Sequence, residues 1–168
     1  MRIAAGQMIA AVVLCGCAAI SGCGEIMAGV RNPMTPDESR SQVLDAARQV
    51  VSALGIDVVE AWFWHSACNS RGDPPFRGQM RIGYPLASSY RASAEQIAAM
   101  VGLLRKAGWE TDPNFHSHAP ALRKTDVIVV LRPQDPGAST RGIEVIGECR
   151  DVTTTIDGRG PVQRVMVN

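Results

Sequence analysis

The chain is predicted to fold as an α+β two-layer sandwich, two helices packed on one face of a mainly antiparallel sheet. Three observations predict it. Two helical signatures, over 35–54 and from Ser93 to Gly108, each open on a capping box and close on glycine. Runs rich in β-branched and aromatic residues follow each of them. The order is thus helix, two strands, helix, then two or more strands, which suits helices gathered on one side of an antiparallel sheet.

The chain begins with a targeting segment. Met1-Arg2 is a minimal positive start, and Ile3 to Ile20 holds no charge. Small residues then precede a cysteine, the plan of a secretory signal peptide. The same run just reaches the length of a membrane span, but its glycines, alanines and small-residue exit favour cleavage. Ile20-Ser21-Gly22-Cys23 resembles a bacterial lipobox, with Leu14-Cys15-Gly16-Cys17 a poorer copy. The resemblance implies that Cys23 carries the lipid and becomes the first mature residue, leaving a signal peptide at 1–22. Palmitate-type acyl chains, at about 0.8 kcal/mol per buried CH₂, would hold the domain on a membrane.

Cysteine usage follows from that. Of five cysteines, Cys15 and Cys17 leave with the signal peptide and Cys23 is lipidated. Cys68 and Cys149 remain, and in an oxidising compartment the expectation is a disulfide between them. Two thiols without close spacing do not make a metal site, so no metal and no cofactor is expected. Without Arg2 the mature chain has sixteen basic and sixteen acidic residues. That balance carries no nucleic-acid footprint, which needs a basic stripe.

Residues 23–34 read as a flexible tether, and 35–168 as a single α+β domain of ordinary size. Thr35-Pro36-Asp37-Glu38 is a capping box with proline at the first helical position. Val43, Leu44, Ala47, Val50, Val51 and Leu54 recur at helical spacing, and Gly55 supplies the stop. Ile56 to His65 reads as a strand, with Val59, Ala61 and Phe63 on one face and Glu60, Trp62 and Trp64 on the other. Asn69 to Pro75 is a turn cluster. Phe76 to Tyr84 reads as the return strand, with Met80, Ile82 and Tyr84 inward and Arg77, Gln79 and Arg81 outward, so one face of the sheet is expected to be wet.

Ser93-Ala94-Glu95-Gln96 is the second capping box, followed by the stripe Ile97, Met100, Val101 and Leu104. Trp109 to Asp112 reads as a short strand before a loop with Pro113 and Pro120. Asp126 to Arg132 and Arg141 to Arg150 form a strand pair. Val152 to Val167 is either a weak hairpin turned at Asp157-Gly158 or a loose tail.

These segments together support a family resemblance. The placing of Cys68, the run Gly72-Asp73-Pro74-Pro75-Phe76-Arg77-Gly78, the Gly108-Trp109 junction and Gly147-Glu148-Cys149 resemble small mycobacterial-type cell-envelope lipoproteins of the LppA/LppV kind. The resemblance spans most of the mature domain. It implies a cell-envelope lipoprotein and carries over no catalytic residues.

Several motifs have a bland reading that outweighs the sharp one. Arg71-Gly72-Asp73 spells an adhesion tripeptide, but these are ordinary turn residues. His116-x-His118 is half a metal site at most, since zinc takes three or four ligands. His65 and Ser66, neighbours on a strand, point to opposite faces and cannot pair in a hydrolase triad. There is no Gly-x-Ser-x-Gly elbow. The expectation is a non-catalytic module, and the alternative is an envelope hydrolase using the 112–126 loop. Trp62 and Trp64, flanked by Arg77 and Arg81, are the candidate binding face for a protein, lipid or glycan partner. The ordinary reading packs both rings under a loop or the tail. The expected location is the cell membrane, lipid-anchored, on its extracytoplasmic side.

Overall fold

The computed structural model describes residues 29–167. The signal peptide, Cys23 and the start of the tether lie outside the described residues. Helix α1 spans Pro36–Leu54. The Thr35 hydroxyl accepts from the Glu38 N–H at 3.2 Å, and the Glu38 carboxylate accepts from the Thr35 N–H at 2.7 Å. At the far end Gly55, at φ 59°, donates its N–H to Val51 O. A left-handed residue is cheapest as glycine, so the helix stops there.

Seven strands follow in one sheet: β1 (Glu60–Ala67), β2 (Phe76–Tyr84), β3 (Glu110–Thr111), β4 (Ala121–Lys124), β5 (Val127–Leu131), β6 (Arg141–Ile146) and β7 (Gln163–Arg164). Helix α2, Tyr90–Lys106, lies between β2 and β3. The strand order is β3-β4-β5-β6-β2-β1-β7, and every ladder between these strands is antiparallel. Both helices cover the same face of the sheet. Val43, Ala47 and Val50 of α1 and Ile97, Met100 and Leu104 of α2 join Phe63, Met80, Ile82, Val129, Leu131, Ile143 and Val145 in one buried cluster. Each large side chain fully buried there contributes about 1.5–3 kcal/mol.

Helix α1 lies against the strands at two glycines. A Cβ on Gly78 would stand 2.5 Å from the Ser39 carbonyl oxygen, and one on Gly147 would stand 2.9 Å from Val43 Cγ1. The Gly78 N–H donates to the buried Ser39 hydroxyl at 2.7 Å. That hydroxyl therefore replaces water for a strand group that the helix has covered.

Several boundaries differ from the sequence reading. The first strand runs 60–67 rather than 56–65. Helix α2 starts earlier, because Ser89 is its cap, accepting from the Ala92 N–H at 3.1 Å, while Ser93 is buried within the helix. Strand β4 lies inside the stretch read as a loop, paired with β5 through a tight turn in which Thr125 takes φ 51°. The tail forms no hairpin. It passes along the edge and pairs through Gln163 and Arg164 with Phe63 and Trp62. The last tether residues are fastened: Met34 donates its N–H to Arg150 O at 2.8 Å, and Asn32 O accepts from Arg150 Nε at 2.6 Å.

The helix-free face is also less uniformly wet than expected. Ile128, Val130 and Ile146 form a second apolar cluster on it with Ala119, and Phe115 and Ala121 pack against them. The five residues of β5 are all buried, as a strand covered on both sides requires. Only the half of this face built from β7, β1 and β2 remains open.

Candidate functional site

The pairing register brings the candidate residues together. On the outward face Trp62 stands opposite Arg81, Trp64 opposite Gln79, and Ser66 opposite Arg77. The tail adds a residue that the sequence reading did not single out, because Trp62 also stands opposite Arg164 on β7. Neighbouring strands lie about 4.8 Å apart and residues two apart on a strand about 6.6 Å apart. The two indoles and three guanidinium groups therefore occupy one continuous patch. Both tryptophans are partly buried, yet neither belongs to nor packs against the two apolar clusters.

The acids on this face are committed. Trp62 Nε1 donates to Glu60 Oε2 at 3.1 Å, and the Thr140 hydroxyl donates to Glu60 Oε1 at 3.2 Å. The Glu60 side chain can cross β2 because position 83 is glycine, where a Cβ would stand 2.6 Å from Glu60 Cγ. Glu144 receives Arg132 in a two-pronged pair, both contacts at 3.0 Å. By contrast, Arg77, Arg81 and Arg164 make no side-chain hydrogen bond or ion pair among the described residues. Burial pushes the Arg77 guanidinium below its ordinary range, and its Nε is enclosed without a partner.

On the β6 side of Arg81 lies a cleft of about 410 Å³, lined by Arg81, Arg132, Gln134, Asp135, Thr140, Gly142 and Glu144 among others. Gly142 makes room for Arg81, since a Cβ there would lie 3.3 Å from the guanidinium carbon. Arg81, which stands opposite Trp62, is the residue shared by the cleft and the tryptophan face.

The other candidates separate. Cys68 and Cys149 form a disulfide with Cα atoms 5.9 Å apart, joining the end of β1 to the chain just past β6. Arg71 and Asp73 pair with each other at 3.2 Å, in a turn built around the Asn69 side chain. His116 and His118 are both exposed in the 112–120 loop. In that loop hydrogen bonding from the Asn114 N–H and then from Arg123 holds the Asp112 carboxyl below its ordinary range, the Arg123 contact being 2.7 Å. Its lone pairs are taken up by structure.

Ser66 and His65 do point apart, but His65 has a partner that the sequence reading passed over. Its Nδ1 lies 3.7 Å from the fully buried Asp151 carboxylate, too far for a hydrogen bond. Burial therefore prevails over that neighbour and lowers the His65 pKa. Burial pushes the Asp151 carboxyl up, but hydrogen bonds from Thr154 and Thr153 outweigh it and its pKa is lowered. An aspartate two and three residues before threonines is an Asx-turn pattern; that pattern was the signal available. Asp151 is a structural node: its backbone exchanges hydrogen bonds with Phe76 and bridges Met34.

Among the described residues no helix is long and apolar enough to cross a membrane, and no group of three or more metal-binding side chains gathers.

A lipobox-like segment ahead of a small disulfide-bonded α+β domain is the plan of a lipoprotein. Residues 35–166 match the family model described as "Putative lipoprotein LppJ", and the chain belongs to that family. Proteins of that name from Mycobacterium tuberculosis strains CDC 1551 / Oshkosh and H37Rv, and from Mycobacterium bovis, are each 27% identical over 164 residues. Each alignment covers 91% of this chain and 86% of the relative. No solved structure matches. The family is thus a mycobacterial lipoprotein family, as the sequence suggested, and the one matched is LppJ rather than the LppA/LppV kind.

Proposed function

We propose that this lipoprotein is a non-catalytic binding module, anchored through Cys23 on the extracytoplasmic side of the cell membrane, that holds an envelope partner on its open sheet face. The observation that carries the reading is the standing of Trp62 and Trp64 outside both apolar clusters, with unpaired arginines on either side of Trp62. Large aromatic rings that add nothing to a core favour an interface, where one side is apolar and the other wet. The hydrolase alternative has less support, because Asp112 is tied to Asn114 and Arg123. The narrower likeness to LppA and LppV rests on four short segments and adds no activity.

The experiment is site-specific cross-linking. A benzophenone amino acid placed at Gln79, between the tryptophans and arginines, is illuminated in intact envelope membranes. A discrete adduct is expected there and not with the same group at Ser52, which is exposed on α1. Adducts at Ser52 alone, or at neither position, would contradict the reading.

A further inference from the structure

The open face and its cleft define a ligand class; the inference rests on the binding-module reading above. From the geometry we infer that the partner is an acidic glycan, a carbohydrate chain bearing carboxylate or phosphate groups, with its acidic group on Arg81 and a sugar ring against Trp62. Three observations carry this.

The first is charge. Of the acids here, Glu60 is satisfied by Trp62 and Thr140 and Glu144 by Arg132. Among the described residues that leaves Asp135, exposed in the loop before β6, as one free carboxylate against three free guanidinium groups. Arg77, Arg81 and Arg164 are left without counter-ions among the described residues. A planar guanidinium takes carboxylate or phosphate in a two-pronged contact, so the open valence of the patch is for an oxyanion. The second is shape. Arg81 borders a cleft of about 410 Å³, within the usual range for small-ligand sites. A flat bilayer does not fill a cleft, whereas a sugar unit does. The third is the lining. Gln134, whose Oε1 accepts from the Ala87 N–H, keeps its amide N–H groups free to donate into the cleft, and Asp135 keeps a carboxylate free to accept. Trp62, opposite Arg81 on β1, offers an apolar ring next to the cleft. A sugar has hydroxyls at its rim and C–H groups on its faces, and needs both kinds of wall. Rows of Trp62 and Trp64 about 6.6 Å apart let a chain continue along β1.

The intact lipoprotein is placed in phosphatidylcholine nanodiscs and exposed to polygalacturonate, to phosphomannan and to neutral dextran of similar size. Binding of at least one acidic polymer and not of dextran is expected, weakening with salt. Arg81→Ala should weaken it about tenfold or more, the loss of one charge-assisted contact. Arg71→Ala, in the exposed turn, should leave it unchanged. Equal binding of dextran, no binding of either acidic polymer, or equal losses in the two variants would overturn the inference. Acrylamide quenching of tryptophan emission adds the membrane arm, since Trp109 is buried and nearly silent. Quenching that falls on adding the acidic polymer, and is the same in neutral and phosphatidylglycerol discs, is the expected result. If phosphatidylglycerol discs alone shield the tryptophans, the ligand is a membrane surface and the glycan is wrong, while the binding face stands. If the tryptophans resist quenching in neutral discs with nothing added, the open face itself is wrong.

Discussion

Gly78→Ala strikes the contact that keeps α1 on one face of the sheet and so leaves the other open. The new Cβ would stand 2.5 Å from the Ser39 carbonyl oxygen and 3.0 Å from Val43 Cγ2. The Val43 methyl can rotate, but a helix carbonyl cannot, so α1 must lift or β2 must bend. Overpacking of this kind costs about 1–3 kcal/mol, and a backbone clash belongs at the upper end. The movement also stretches the 2.7 Å bond from the Gly78 N–H to the Ser39 hydroxyl, worth about 1 kcal/mol. Alanine regains about 0.5–1 kcal/mol through its smaller backbone entropy. The net expectation is a loss of about 3 kcal/mol, or about 10 °C in Tm for a domain of this size. Denaturant melts of the intact lipoprotein in detergent, followed by far-UV circular dichroism, measure it. Gly102→Ala is the control, because nothing lies within 4 Å of its Cβ. It should stabilise α2 by about 0.5–1 kcal/mol. A loss under about 1 kcal/mol for Gly78→Ala would refute the close approach of α1 to the strands.

Reduction of the Cys68–Cys149 bond, or Cys149→Ser, should lower stability by about 4.5 kcal/mol in the chain-entropy model, given a sequence separation of 81. Melts with and without reductant check it, and an unchanged midpoint would be contrary. The folded pKa of His65 is lowered below its ordinary 6.5, so the unfolded chain takes up more protons as pH falls beneath that value. Stability is therefore full above it and lost on acidification. Asp151, lowered below 3.8, adds a second loss in the same direction as pH falls through its own folded value. His65→Gln should flatten the stability profile as pH falls below about 6.5 and leave the loss that Asp151 carries at lower pH; an unaltered profile would sink the assignment. Cys23→Ser should abolish fatty-acid labelling of the chain, and normal labelling would place the anchor elsewhere.

What sequence could show divides along physical lines. Helix α1 and strand β2 were readable to their ends because local chemistry ends them, Thr35-Pro36 and Gly55 for the one, Pro75 for the other. The start of α2 was not, since Ser93, with Gln96 three residues on, spells a capping box and Ser89, with Ala92 there, does not. Only the helical course of Tyr90 to Ala92 makes Ser89 the cap. Strand β4 escaped because its turn uses Thr125 at positive φ in place of the usual asparagine or glycine. Val127 to Leu131 reads in sequence only as one strand of a pair. Although its unbroken apolar run fits burial on both faces, the cover that Phe115 lends to the helix-free side comes from a loop with no such pattern. On the site, period-two alternation placed Trp62 and Trp64 on the side of Arg77 and Arg81. Arg164 and Asp151 are long-range neighbours, delivered by a tail with little local pattern.

The central claim is that the Trp62 and Trp64 face binds rather than supports. Replacing both by alanine separates the two roles, provided partner capture from envelope membranes and Tm are read on the same protein. Core Trp→Ala changes cost about 3–5 kcal/mol each; rings outside the core should cost the pair no more than about 2 kcal/mol, mostly lost strand preference. The account predicts a tenfold or greater loss of capture with Tm lowered by only a few degrees. A badly destabilised domain that still captures its partner as well as the parent would contradict it.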